Sequence, residues 1–362
     1  MEIFINGKYL TQPVSGVQRY AFELTKGLIA KGSNVKILVP NFFDIKSTEI
    51  NDRFFVSTGD FKNTNLWEQV HLPLFFRKRK SSLLINLCNT GPVLIKNQIV
   101  CLHDIAFFKN PQWYSRAFYL YYKFLIPLIV RNSKHIVTVS EFSKDEITGR
   151  FRFAANKISV IYNAPAKIFT IPADKLILKK DDFFLFVGSF DPRKNLITLL
   201  KAFESDKLKK FKLIVVGKRS ASFRDQKLII PDNVTILDNC NDEDLSVLYK
   251  HASGLINCSI YEGFGLPLVE AMSSGCPLVL SDIPVFREIA GDRASYFDPI
   301  SSDSIVHAIK SLADKKPEDL NSDIQHNHTL SSRFSWADSS TELFSLTYKL
   351  LPQADRHLNH PI

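Results

Sequence analysis

Short apolar runs alternate with stretches of helical periodicity twice along this chain of 362 residues, and that alternation limits the fold more than any single residue does. In the first stretch "EIFING", "NVKILVP", "SLLINLC", "QIVCLHD" and "HIVTVS" are apolar runs that end in polar residues. Runs without a polar face belong to strands buried on both sides, as in parallel sheets covered by helices. "SGVQRYAFELTKGLIAKG" places Val17, Tyr20, Ala21, Leu24 and Leu28 at helical spacing, with Ser15 as N-cap and Gly32 as stop. A second stretch begins near Asp182. Its strands are "FFLFVGS", "FKLIVVG", "NVTIL", "GLINCS", "PLVLS" and "ASYFD", and "KNLITLLKAFES", "DEDLSVLYKHA" and "SSDSIVHAIKSLADK" are its helices. The expectation is an α/β protein of two Rossmann-like, doubly wound domains. Pro165, Pro172 and a charge run put the boundary within residues 163–182, giving domains 1–165 and 166–344. Beyond about Ser331, "FSWADSSTELFSLTYKLL" reads as a terminal amphipathic helix, and a C-terminal helix at about 345–362 is expected to pack back on the first domain.

Composition narrows the function classes. The net charge is +9, which suits an anionic ligand or an anionic membrane surface. Nucleic acid fits less well, because the cations are scattered and neither zinc-finger spacing nor an RNA-binding aromatic motif is present. Cys88, Cys101, Cys240, Cys258 and Cys276 form no CxxC pair and read as free thiols of a reducing compartment. "MEIFINGKYL" lacks the basic and apolar regions of a signal peptide. The most apolar segment, "AFYLYYKFLIPLIV", contains Lys123 and Pro127 and falls short of the roughly 20 residues of a membrane span. It reads as a core helix, kinked or divided near Pro127. In "LPLFFRKRKSSLL", Phe75 and Phe76 stand beside Arg77, Lys78, Arg79 and Lys80, either as a solvated loop or as a peripheral contact with an anionic leaflet.

In open α/β sheets ligands bind beyond the carboxyl ends of the strands. "IYEGFGLPLVEAMSSG" follows the strand "GLINCS". Pro267 suits a first helical turn and Gly275 its stop, so a helix is expected from about Leu266 to Ser274. Its first amides lack intrahelical partners, and Gly263 and Gly265 allow a ligand close to the backbone. Glu262 stands in the loop and Glu270 early in the helix. Glu270 either accepts from a vicinal diol or complements the helix dipole. Arg193 and Lys194 in "DPRKN" are either a solvated helix start or an anion clamp. His103 and Asp104 end a strand, where a lone His is commonly structural. Glu141 in "VSEFS" also follows a strand, where it meets a second substrate or the hinge, or serves a good N-cap segment.

"EGFGLPLVEAMSSGCPLV" closely resembles the E-x7-E signature of the retaining nucleotide-sugar glycosyltransferases of family 4. "SGVQRYAFEL", "WEQVHLP", "LHDIAFFKNPQWYS", "VSEFSKDEI", "VGSFDPRKNLITLLKAF", "SDIPVFREIAGDRASYFDP" and the late "FSW" agree in the family's order, and "WEQVHLP" and "LHDIAFFKNPQWYS" resemble its mannosyltransferase-like, surface-polysaccharide subgroup. The resemblance spans nearly the whole chain. It implies the GT-B fold, two Rossmann-like domains facing across a cleft that closes on substrate.

It also implies roles. Glu270 holds the ribose, and Glu262 with the amides of Gly263, Phe264, Gly265 and Leu266 addresses the donor hexose. Lys194, with Arg193 and Lys218, clamps the diphosphate, and Gly16 offers an amide to phosphate. His103 lies by the hexose, and Asp104 orients it or meets the acceptor. Two departures stand out. Gly188-Ser189 replaces a common Gly-Arg, and Ser15 replaces the first of two glycines. No metal is expected, since no D-x-D pair with a metal role is evident and the family is usually metal-independent.

The implied activity is transfer of a hexose, mannose from GDP-mannose above all, to a lipid-linked glycan in bacterial lipopolysaccharide O-antigen or capsule synthesis. The protein would be cytoplasmic, peripheral on the inner face of the membrane. The alternatives are a UDP- or dTDP-hexose donor, a GT-B epimerase or phosphorylase, or a silent sugar-nucleotide-binding subunit.

Overall fold

A computed structural model describes residues 2–32, 34–79, 81–176, 181–218 and 229–350. The chain divides into two compact units. One comprises the chain up to Ile105, Leu120–Asn163 and the chain from Ser335; the other comprises Ala106–Tyr119 and Ala164–Phe334.

The first unit is built on seven parallel strands: β1 (Ile3–Asn6), β2 (Val35–Val39), β3 (Phe55–Ser57), β4 (Leu83–Asn86), β5 (Gln98–Cys101), β6 (His135–Thr138) and β7 (Ile158–Val160). Their order across the sheet is β3-β2-β1-β4-β5-β6-β7. The apolar runs are fully buried in β1, β4 and β5, as strands covered on both faces must be. The helix Gly16–Ala30 buries Tyr20, Ala21, Leu24 and Leu28, the residues its periodicity selects. Edge strands β3 and β7 are only three residues long and carry little periodic signal.

The last described helix, Trp336–Leu350, belongs to this unit and begins well before 345. The C-terminal stretch placed at 345–362 otherwise lies outside the described residues from 351 on. This helix lies against Gly16–Ala30, where Tyr20 and Trp336 rings are 6.0 Å apart. A Cβ on Gly27 would sit 1.9 Å from Ser340 Oγ, so the helices meet at a point where only glycine fits. Tyr20 Oη donates to the Ile161 carbonyl at 3.1 Å and Ser339 Oγ to the Tyr162 carbonyl at 2.8 Å, fixing both helices beyond β7.

Two expectations for this unit need correction. Phe75 and Phe76 are not a free aromatic edge. Phe76 is buried in a core with Phe4, Trp67 and Leu72, and Phe75 packs edge-on to Phe4 beneath the Arg79 guanidinium. A helical segment of 64–76 turns them inward and leaves Arg77, Lys78 and Arg79 exposed; Lys80 lies outside the described residues. The segment read as a core helix is a single helix, Arg116–Asn132, that runs through Pro127 without division. It buries Leu125, Ile126, Ile129 and Val130 but exposes Leu120, Phe124 and Leu128, so it is a surface helix. Proline removes one backbone bond, to the carbonyl of exposed Lys123, where water can replace it.

The second unit carries six parallel strands: β8 (Phe183–Val187), β9 (Lys212–Val216), β10 (Val234–Leu237), β11 (Gly254–Asn257), β12 (Leu278–Ser281) and β13 (Ser295–Phe297). Their order is β10-β9-β8-β11-β12-β13. Helices Leu196–Phe203 and Ser302–Ala313 close one core with Phe184, Phe186, Ile256 and Val279. A helix at Pro317–Ser331, absent from the sequence reading, supports the Leu266–Ser273 helix through a bond from Ser273 Oγ to Ser331 Oγ. Its one fully buried aliphatic residue, Ile324, explains why periodicity does not find it.

Candidate active site

In the second unit the chain winds outward from β8 to β10, then returns to place β11 on the other side of β8. That reversal opens a crevice at the carboxyl ends of β8 and β11. The loops that follow these two strands carry most of the candidate residues.

After β8, Asp191 caps a 3₁₀ turn, Pro192–Lys194, by accepting from the Arg193 amide at 3.1 Å. Asn195 then takes a left-handed conformation, φ 55°, and starts the helix Leu196–Phe203. Arg193 and Lys194 therefore precede this helix in a turn of their own and are not its first residues. After β11, Ile260 N–H donates to the Arg193 carbonyl at 2.9 Å, and Cys258 Sγ lies 3.1 Å from the Lys194 carbonyl. The two loops are thereby locked together.

The locking brings three charges into one place. Lys194 Nζ donates to Glu262 Oε1, and Arg193 Nη1 lies 3.7 Å from Glu262 Oε2. Ser259 Oγ lies 2.9 Å from Glu262 Oε1, and Asp191 Oδ1 lies 3.6 Å from Arg193 Nε. Lys194, Glu262 and Asp191 are all buried. Burial pushes the Glu262 carboxyl up, but the Lys194 ammonium, the Arg193 guanidinium and the bonds from Lys194 and Ser259 outweigh it and hold the group below the usual carboxylate range. The result is a buried, charged cluster in which the cations face a carboxylate of the protein itself. Ser189, at the departure from Gly-Arg, bonds Asp191 Oδ2 at 2.5 Å and so steadies the turn that carries Arg193. Asp191 was missed by the sequence reading, though an Asp before Pro is a turn signal.

The helix Leu266–Ser273 starts where Pro267 requires and stops before Gly275. Gly265 caps it at φ 102°, a conformation an L residue resists. Its amide and that of Phe264 lie in the loop just before the first turn, whereas the Phe264 side chain is buried edge-on to Phe334. The role implied for Phe264 is thus confined to its backbone. Glu270 is buried and accepts from Tyr249 Oη at 3.1 Å, a partner the sequence reading did not name. Lys218 is exposed beyond β9, its carbonyl accepting from the Phe190 amide at 3.0 Å.

The first unit reverses direction between β1 and β4. Gly16 is exposed as the first residue of its helix, and the Ser15 side chain, expected to cap it, instead bonds the Gln18 side chain. His103 lies just past β5, buried, edge-on to Tyr20 at 4.9 Å. Its Nε2 is 2.9 Å from the Leu87 carbonyl, which only accepts, so Nε2 carries the proton and Nδ1 keeps a lone pair. Burial lowers its pKa against the opposing pull of the Leu87 carbonyl and Asp104, so the ring is neutral. Asp104 is half-buried beside it. Glu141 is exposed and paired with Lys144 at 2.8 Å, the surface role of a helix start. At the reversal point Glu68, Lys8, Asn6 and Thr90 form a buried network that the sequence reading missed.

A lowered native pKa means that the unfolded chain binds more protons just below pH 6.5, about the ordinary histidine value. His103 therefore stabilises the fold fully above that pH, and the contribution falls away as pH drops towards the native value. Urea midpoints measured from about pH 7.5 to about pH 5, across the ordinary histidine value, should fall more steeply for the wild type than for His103→Gln. Parallel slopes would remove His103 from the titration.

Residues 14–164 match the model of Glycosyltransferase Family 4, and residues 167–328 that of Glycosyl transferases group 1. The chain is 34% identical over 250 residues to the O-antigen chain mannosyltransferase RfbU of Salmonella typhimurium, covering 68% of each chain. It is 29% identical over 280 residues to O-antigen chain mannosyltransferase B of Escherichia coli, covering 72% of each. Among solved structures it is similar to WaaG, a glycosyltransferase involved in lipopolysaccharide biosynthesis, with a TM-score of 0.69, 14% identity and coverage of 96% of this chain and 99% of that one. Two parallel doubly wound sheets, both family models and these relatives lead to one assignment: the chain belongs to the family 4, group 1 glycosyltransferases and has their GT-B fold.

Proposed function

We propose that this glycosyltransferase moves mannose from GDP-mannose to a lipid-linked glycan of the O-antigen, with retention at the anomeric carbon. The buried Lys194–Glu262–Arg193 cluster at the reversal point of the second unit carries the reading. A leaving nucleoside diphosphate gains charge on its oxygens, and fixed cations with helix amides meet that charge without reorganising. Lys194 and Arg193 supply the cations, Lys218 adds to them, and Gly263 to Leu266 supply the amides. Glu270 holds the ribose, and Glu262 addresses the hexose once the diphosphate draws Lys194 from it. In this reading the second unit binds the donor and the first the acceptor, with Gly16 at a phosphate. Neutral His103, offering its Nδ1 lone pair, accepts from a sugar hydroxyl, and Asp104 orients it. The names of the relatives support mannose and O-antigen.

Among the described residues no helix is long and apolar enough to cross a membrane. In this reading a lipid-linked acceptor is met by peripheral contact with the cytoplasmic leaflet. The reading is tested by nucleotide release from GDP-mannose, UDP-hexoses and dTDP-hexoses, each with and without lipid-linked acceptor. Acceptor-dependent release of GDP from GDP-mannose is expected. Release from another donor would move the specificity, and acceptor-independent conversion would favour an epimerase or phosphorylase.

A further inference from the structure

We propose that Asn257 is a positioning residue for Glu262: acting through Ser259, it presents a hydroxyl proton to that carboxylate when the donor takes Lys194 away. This deepens, and rests on, the reading that Lys194 clamps the diphosphate and Glu262 addresses the hexose.

Asn257 ends β11 in surroundings that suit an aliphatic side chain. Residues two apart on a strand share a face, and so do registered neighbours on parallel strands. Leu255 registers with Leu278 and Asn257 with Leu280, so these three leucines lie on the face that Asn257 shares. Asn257 is 3% exposed there. An enclosed amide loses stability unless both of its ends are bonded. Only one end is. Asn257 Oδ1 accepts from the Ser259 backbone N–H at 3.3 Å and lies 2.8 Å from Ser259 Oγ. Asn257 Nδ2 is buried and has no hydrogen-bond partner among the described residues.

Ser259 is the link to the charged cluster. It is fully buried, and the same Oγ that meets Asn257 lies 2.9 Å from Glu262 Oε1. A hydroxyl has one proton, so it serves one of these two acceptors at a time. In the free enzyme Lys194 Nζ already donates to Glu262 Oε1, and the Ser259 proton can stay with Asn257.

Donor binding alters that balance. Once the diphosphate draws Lys194 off, a buried carboxylate oxygen has lost a donor, and the Ser259 proton is within reach of it. Turning the Asn257 amide about its Cβ–Cγ bond exchanges Oδ1 for Nδ2. The idle Nδ2 then donates to Ser259 Oγ, and Ser259 donates to Glu262. The only bond given up is the long one from the Ser259 backbone N–H. Hydrogen bonds in such a row polarise one another, so the amide strengthens the bond that the carboxylate receives. The donor left idle in the free enzyme is thus the one the loaded enzyme uses.

The test is a double-variant cycle on steady-state transfer from GDP-mannose, or from whichever donor the nucleotide-release panel selects, to the lipid-linked acceptor. Ser259→Ala is expected to lower kcat about tenfold, the effect of losing one hydrogen bond to a charged group, with the donor KM within about twofold. Asn257→Leu, close in volume and unable to bond, should lower kcat about fivefold. The double variant should be no slower than Ser259→Ala, because Asn257 acts only through Ser259. Asn257→Asp keeps the shape and, when ionised, accepts without donating, so its kcat should fall at least as far as that of Asn257→Leu. Either variant serves if the other fails to fold, which urea melts check. A hydrogen bond to the charged form lowers a carboxyl pKa, so the acid limb of the kcat profile should move up by about half a pH unit in Ser259→Ala and Asn257→Leu alike. A residue that only packs would shift urea midpoints and leave that limb in place. Losses that multiply in the double variant, an unmoved acid limb, or wild-type kcat in a folded Asn257→Leu or Asn257→Asp would overturn the proposal. Those results leave donor use standing, whereas no acceptor-dependent release from any donor of the panel overturns the underlying reading and this proposal with it.

Discussion

Replacing Lys194 with alanine is expected to lower kcat/KM for the nucleotide sugar by about a hundredfold to a thousandfold, the usual consequence of removing one preorganised group from a developing anion. The substitution also strips Glu262 of its nearest cation, leaving a buried carboxylate with Arg193 at 3.7 Å and the Ser259 hydroxyl. Breaking a buried pair from one side costs about 3–5 kcal/mol. The variant should therefore unfold at lower urea, and lost activity alone would be ambiguous. Adding Glu262→Gln separates the two effects. The double variant should regain most of the stability, because no unpaired charge remains, yet stay as inactive as the single one. Steady-state kinetics and urea melts on the four proteins of this cycle read both terms. A Lys194→Ala protein that is folded and within a few-fold of wild-type kcat/KM would remove Lys194 from the site.

Gly27→Val should destabilise the first unit by about 3 kcal/mol, the upper part of the range for overpacking. At an ordinary helix-interior position a residue with a side chain gains up to about 1 kcal/mol over glycine. Here the sign reverses. The new Cβ would meet Ser340 Oγ at 1.9 Å and Ser340 Cβ at 2.4 Å. The hydroxyl can rotate, but the Cβ moves only with its helix. Ser340→Gly in the same chain should recover most of the loss in urea midpoint. If Gly27→Val is as stable as the wild type, the helices do not meet at this point.

Much of this site could be read from residues close in sequence. Pro267 and Gly275 bracket the helix Leu266–Ser273, and the apolar runs locate all six strands of the second sheet but five of the seven in the first, missing the short edge strands β3 and β7. What eluded the sequence was non-local or weakly patterned. Lys194 and Glu262 stand 68 positions apart, and nothing in either loop announces that one holds the other. Tyr249 reaches Glu270 from a separate helix. Phe75 and Phe76 could face water or core until the turn of segment 64–76 is known, and they face core. For Arg116–Asn132, high apolar content hid which half is covered, because composition reports hydrophobicity and not neighbours. Pro317–Ser331 buries polar Asp323 and Asn327, so a rule based on apolar spacing passes over it.

The helix Trp336–Leu350 has a consequence in time. It completes the unit that contains β1, although the whole of Ala164–Phe334 is made in between. At about 5–20 residues per second, the face of Gly16–Ala30 that it covers waits roughly 15–60 seconds during synthesis. The second unit, nearly continuous in sequence, can mature in that interval, while the first remains open along Tyr20 and Gly27. A ribosome that stalls before Trp336 would release a chain whose damage lies at its beginning.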